Sequence, residues 1–415
     1  MLLLLGLQSF AYNEVTPNYS GALSRMIDID HAVSCDKVNR DWIISYIDIT
    51  STPNATINKA TITVPDLSDI NDMRITSTQI YLCGRTVFSN GIFITLSLND
   101  LITPPASGSI NFDYEIVSEV SSINKIVVYD LGGTTHLAAV CHKEIVTTPY
   151  MYRKPFVLHI KDFPNQTTYT LKYFDDEQIL LDDIVVTNNY VALIGHHDSY
   201  RGTSIWKCDK SNIFNSMMDT MYYYPDIEAL SFHHAAWLDN DEIAVAHFAI
   251  SPTYLTLATQ IRYYKLSNMR MFNGQEFLLG GKGEPQEMSY LPQTKTLILT
   301  QHEYHTHPYK IIYLLPQKTN SYTTTYLYDG DDNPYRSVDC YRPSTFFVSQ
   351  GAKILFKDQT QPTNLCIKSD LLEIYPIKTN ATYKVTKFGN TITNDARENN
   401  SVQVTTDQAE GCRSN

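Results

Sequence analysis

Several things are scarce in this sequence, and each scarcity removes a class of protein. Charged residues make up only 18% of the 415, and the net charge is −12 with no long basic run. Phosphate binding needs clustered Lys and Arg, so nucleic acid is not an expected partner. No stretch approaches the ~18 consecutive apolar residues of a transmembrane helix, so no integral membrane segment is expected. The seven cysteines (Cys35, Cys83, Cys141, Cys208, Cys340, Cys366 and Cys412) are widely spaced without a C-x-x-C. That excludes a zinc ribbon or a thioredoxin-like site. There is no G-x-S-x-G hydrolase elbow. "GGKGEP" at Gly280–Pro285 lacks the G-K-[ST] of a phosphate cradle, and "DGDDNPY" from Asp329 lacks the closing Glu of a calcium loop. No motif calls for a cofactor. Helical periodicity is almost absent.

What is present suits strands. Hydrophobic residues reach 43%, ample for a core, and the 29 tyrosines favour strands and recognition loops. The chain opens "MLLLLGLQSFAYNEV", where Leu2–Leu5 followed by Ser9-Phe10-Ala11 matches the end of a signal peptide cut after Ala11. Residues 1–19 are therefore expected to be a partial signal peptide and lead-in, and the protein to be secreted, periplasmic or at the cell surface. The plain alternative is a buried N-terminal strand. Cys83 and Cys141 lie in apolar strand patterns and read as small core residues, while Cys340 and Cys366 could pair in an oxidising compartment.

A repeat organises the chain. Apolar quartets start at Trp42, Tyr81, Leu137, Val191, Ile243, Leu297 and Phe346, at intervals of 39, 56, 54, 52, 54 and 49 residues. A hairpin-type turn and a short strand precede most of them, and a third and often a fourth strand follow. Four antiparallel strands repeated seven times give an all-β fold, a seven-bladed β-propeller of four-stranded blades. Residues 20–378 resemble the seven-bladed propeller superfamily in architecture, without a WD, kelch or YWTD signature. The resemblance implies strands A to D running from axis to rim and A–B hairpins on one face. It also puts the B–C and D–A loops on the opposite face, the usual binding face. Residues 379–415 are polar; "TYKVTKF" within them could close the first blade, and the rest reads as a tail.

Chemistry is fainter. His142, His196, His197, His247 and His302 all follow a quartet, so the spacing places them together on the B–C face. His305 and His307 extend the His302 loop and could chelate locally. B-strand ends of neighbouring blades should lie over ~10 Å apart, since four strands at ~4.8 Å fill each blade. The imidazoles are thus expected to be scattered, with no shared metal. The D–A positions in register are His31, Arg74, Lys125, Asp183, His234, Glu287 and Arg336, a polar ring nearer the axis. The plain alternative is that these are wet strand ends and a water-filled funnel. The reading carried forward is a monomeric, non-catalytic recognition module for a glycan or protein ligand. The alternative is a propeller-fold lyase or hydrolase acting on acidic polysaccharide, because some propeller lyases use His, Tyr and Arg on such a face.

Overall fold

In the computed structural model the described residues are those of the strands named below and their tight turns between 13 and 400, with side chains described within 23–300. Strand β1 (Asn13–Val15) precedes the first sheet. The first sheet holds β2 (Leu23–Met26), β3 (His31–Val38), β4 (Asp41–Asp48) and β5 (Thr56–Ile62). The second holds β6 (Leu67–Ile75), β7 (Gln79–Thr86), β8 (Gly91–Ser97) and β9 (Phe112–Val117), with the short helix α1 (Leu98–Ile102) between the last two. The third holds β10 (Ser122–Leu131), β11 (Thr134–Thr147), β12 (Tyr150–Lys161) and β13 (Tyr169–Tyr173). In the fourth, β14 (Ile179–Val186), β15 (Tyr190–His197), β16 (Gly202–Asp209) and β17 (Met217–Tyr224) follow in order. The fifth runs β18 (Ala229–Trp237), β19 (Glu242–Ile250), β20 (Leu257–Lys265) and β21 (Arg270–Leu279). The sixth runs β22 (Gly283–Leu291), β23 (Thr296–Glu303), β24 (Tyr309–Pro316) and β25 (Thr323–Tyr328). The last begins with β26 (Tyr335–Arg342), β27 (Thr345–Gln350) and β28 (Lys353–Asp358).

Every pairing is antiparallel, within each sheet mostly between sequence neighbours, and the first strands of successive sheets touch in turn from β2 to β26, with β26 returning to β2. This is a β-propeller. The ring is closed by β1, which adds to β28 with Glu14 opposite Leu355. The sheet begun at Tyr335 has three strands of its own among the described residues, and a fourth from the other chain end covers the edge of β28.

Two sheets exceed four strands. Strand β29 (Glu373–Ile374) adds to β21, and β30 (Ile377–Lys387) pairs with β17 and then with β31 (Asn390–Asn400). The "TYKVTKF" segment thus extends the fourth sheet and does not complete the first.

The first sheet also corrects the repeat. The quartet at Trp42 lies in its third strand; the second strand is His31–Val38, whose counterpart quartet is Ala32–Cys35. Ala32 to Tyr81 spans 49 residues, in line with the later intervals. Ser34 and Asp36 hide β3 from an apolar scan, although both are buried.

The quartets read as continuous runs because each sheet is covered on both faces. Leu137, Ala139 and Cys141 pack toward the second sheet with Tyr81, Cys83 and Phe93. Ala138 and Val140 pack the other way, against Leu193 and Trp206 of the fourth. Cys83 and Cys141 are buried free thiols, as their apolar setting requires, and the Cys340–Cys366 pairing lies outside the described residues.

Candidate functional site

The first strands share an irregularity that sets the axial chemistry. In sheets two to seven, strand pairing slips one or two residues before Asp72, Lys125, Asp183, His234, Glu287 and Ser337 respectively. Such a bulge inserts an unpaired residue and turns the strand. Glycine accommodates it in two sheets: a Cβ at Gly195 would sit 1.9 Å from the Leu180 carbonyl oxygen, and one at Gly84 1.8 Å from that of Asp69.

Beyond the bulges the strands carry a closed ionic network. The Arg25 guanidinium donates to Asp72 at 3.0 Å and Glu287 at 2.9 Å, and its Nε donates to the Met73 carbonyl at 3.1 Å. Arg74 lies 3.3 Å from Asp72, and Lys125 Nζ lies 3.9 Å from both Asp72 and Glu287. Asp72 Oδ2 accepts the Ile126 N–H and Asp183 Oδ2 the Ala235 N–H, each on the next sheet, so the same position stitches successive sheets twice. Burial alone would raise Asp72 and Glu287, but the cations around them hold both carboxyls below their usual range. Burial pushes Asp183 up to about 6 and His234 down to about 4. With Arg25, Arg74 and Lys125 against Asp72, Asp183 and Glu287, the charges balance internally.

One bulge further out, imidazoles gather. Asp182, the unpaired residue of β14, accepts from Nδ1 of His233 at 2.6 Å and lies 3.3 Å from Nδ1 of His196. The His196 and His233 rings stack at 5.5 Å and 24°, and the His247 ring lies 5.6 Å from His233, tilted by 30°. His247 is itself held by Thr203 Oγ1 at 3.2 Å and Gln260 Oε1 at 2.5 Å. Burial alone would raise Asp182, yet the His196 and His233 hydrogen bonds hold it well below the carboxylate range. Burial lowers His233 and, further, His247.

At the other end, where the first strands run into their hairpins, a cavity of about 400 Å³ opens between Arg74, Tyr129, Asn188, Lys210, Trp237 and Tyr290. Trp237 is 43% exposed and its Nε1 donates to the Asn240 carbonyl. Lys210 lies 5.3 Å over the Tyr129 ring.

The expected residues therefore divide. Lys125, Asp183, His234 and Glu287 do share one position, directly after the bulge. Arg74 stands two residues past its counterpart Asp72. His31 is not in that ring: it starts β3 at the hairpin end, 2.7 Å from Asp28 and stacked on Tyr46. Arg25 is the first sheet's contribution to the network, displaced from view by the misregistered quartet. His142 sits apart from the other imidazoles with Asn124 at 3.0 Å and Glu144 at 3.7 Å, held at about 4 by burial and Arg153. The expectation of scattered, surface imidazoles fails for His196 and His247, which are buried and linked through His233. The spacing argument considered B-strand ends alone, whereas the bulge of the neighbouring first strand inserts His233 between them. The side chains of His197, His302 and Arg336 lie outside the described residues, as do His305 and His307 altogether. Asp182, His233 and Arg25 are the residues that spacing misses. A signal existed: two polar residues in succession inside an apolar strand (Asn71-Asp72, Asn124-Lys125, Asp182-Asp183, His233-His234, Gln286-Glu287) mark five of the six bulges.

No protein-family model matches this chain, and no curated protein does. Among solved structures it is similar to the WD40 domain of Toxoplasma gondii coronin, at 9% identity and TM-score 0.49 over 87% of this chain and 89% of that one. It is similar too to YCF48 bound to D1 peptide, at 10% identity and TM-score 0.45 over 85% and 96%. A Pyrococcus horikoshii acylaminoacyl peptidase matches at 9% identity and TM-score 0.48 over 90% of this chain and 59% of that one. The propeller assignment rests on the strand order and the closed ring of first strands. No helix among the described residues is long and apolar enough to cross a membrane.

Proposed function

We propose that this chain is an exported, monomeric, seven-bladed β-propeller of four-stranded blades that recognises a glycan or protein ligand without turning it over. Strands β29 to β31 are additions at the rim. The observation that carries the reading is the contrast between the two ends of the axis. Past the bulges Arg25, Asp72, Lys125 and Glu287 are engaged with one another, whereas the hairpin end offers an open cavity with Trp237, Tyr129 and Tyr290 beside Arg74, Lys210 and Asn188. A cavity of this volume falls within the ~300–1,000 Å³ of small-ligand sites, and rigid rings beside polar donors suit a sugar face or a peptide side chain. This reading places the ligand at the hairpin face, whereas the superfamily resemblance favours the B–C and D–A loops. Export is read from the Leu-rich start ending in Ser9-Phe10-Ala11, and a cut after Ala11 leaves β1 intact.

The test is a glycan and peptide array probed with the wild-type protein and Trp237→Ala. Binding that falls about thirtyfold in the variant, on the order of 2 kcal/mol for a stacked aromatic anchor, supports the reading. Binding untouched by Trp237→Ala and by Lys210→Ala removes the cavity from consideration.

A further inference from the structure

The Asp182 cluster differs from the rest of the axial chemistry. Asp72 and Glu287 are buried carboxylates with Arg and Lys partners, but the hydrogen-bond partners of Asp182 are two imidazoles. Among the described residues, no Lys or Arg is paired with Asp182. Asp182 is also the least enclosed of the three, with 25% of its side chain exposed, while the His233 side chain is fully buried.

The geometry is that of a coordination shell. One donor atom from each of Asp182, His196 and His233 lies within 4.8 Å of the others. Asp182 Oδ2 stands 2.6 Å and 3.3 Å from the two Nδ1 atoms. Donors around an ion with bonds of about 2.0–2.1 Å are separated by about 3.0–3.4 Å, so an ion would part Asp182 from His233 and draw the three donors to that common spacing. The donors come from three strands of two adjacent sheets, and the ring contact with His247 fixes the ring planes. His247 has both ring nitrogens engaged by Thr203 and Gln260 and serves as a wall.

We propose that Asp182, His196 and His233 bind one divalent first-row transition ion, with Zn²⁺ the reference case. Two imidazoles and a carboxylate are a donor set that such ions accept. Three protein ligands leave at least one coordination position, which faces the exposed side of Asp182 and takes water or a monodentate anion. The ion joins the fourth and fifth sheets.

The test uses the full chain, stripped with chelator and titrated with Co²⁺ and Zn²⁺. One equivalent of Co²⁺ should bind, with visible d–d absorption and two hyperfine-shifted imidazole N–H resonances, and Zn²⁺ should displace it. Asp182→Asn, His196→Gln and His233→Gln, each checked for folding by circular dichroism, should weaken binding at least tenfold, while His142→Gln should not. The wild-type spectra decide the matter even if a variant fails to fold. Absence of stoichiometric Co²⁺ binding at micromolar concentration overturns the proposal. So does binding that survives all three substitutions but is lost on changing His302, His305 and His307 to Gln.

Discussion

Replacing Arg25 with Met probes whether the axial network holds the ring together. Arg25 is 6% exposed, and its guanidinium binds carboxylates of the second and sixth sheets, Asp72 and Glu287. It also donates to the Met73 and Ser24 carbonyls. Met keeps most of the volume but leaves two buried carboxylates sharing Lys125 at 3.9 Å, with Arg74 close to Asp72 alone. Breaking a buried pair by removing one partner costs about 3–5 kcal/mol, because the surviving charge stays desolvated. Glu287 has the weaker remaining support, so Arg25→Met with Glu287→Gln should recover part of the loss, a coupling of about 1–3 kcal/mol. Urea denaturation of the wild type, both single variants and the double variant measures this. A single-variant loss below about 1 kcal/mol, or strictly additive losses, would refute the view that the network couples the sheets.

Other outcomes follow from particular residues. Burial holds His142 and His159 at about 4, below the usual 6.5, so the unfolded chain takes up protons that the folded chain refuses. Their contribution is complete above about pH 6.5 and is lost as pH falls toward 4; the lowered Asp72 and Glu287 add loss below about pH 4.5. Thermal melts across pH 4–8 should therefore decline from about pH 6.5, and His142→Gln should flatten the upper part of that decline. Gly195→Ala should cost about 2–4 kcal/mol in denaturant titration or prevent folding, since its Cβ would strike the Leu180 carbonyl. Removing Asn13–Val15 should lower stability by about 1–3 kcal/mol in the same assay, by exposing the edge of β28; an unchanged midpoint would argue against closure by β1.

The architecture was legible because each quartet is buried on both faces, which leaves an unbroken apolar run at near-constant spacing. It failed where burial and apolarity part company. Strand β3 is as buried as β4 but carries Ser34 and Asp36, so the apolar scan settles on Trp42 and loses Arg25 from the axis. The closing strand was illegible for another reason: Asn13–Val15 is too short to announce itself, and only the missing fourth strand beside β28 gives it a place. The imidazole cluster depends on the bulges. A bulge shifts side-chain parity by one, so a count along strands names Asp183 and His234 while their predecessors Asp182 and His233 meet His196. His142 and His196 look equivalent in sequence; the residue opposite decides their fates, Asn124 for one and Asp182 for the other.

Recognition without turnover is tested most directly by incubating the strongest array ligand with the purified protein and following both partners. Absorbance at 235 nm reports unsaturated products, and mass spectrometry of the recovered ligand reports any other cleavage. The account predicts saturable binding that depends on Trp237 and a ligand recovered intact after many binding lifetimes. Product that accumulates in proportion to protein, and disappears in the Trp237→Ala or His196→Gln variant, would contradict it.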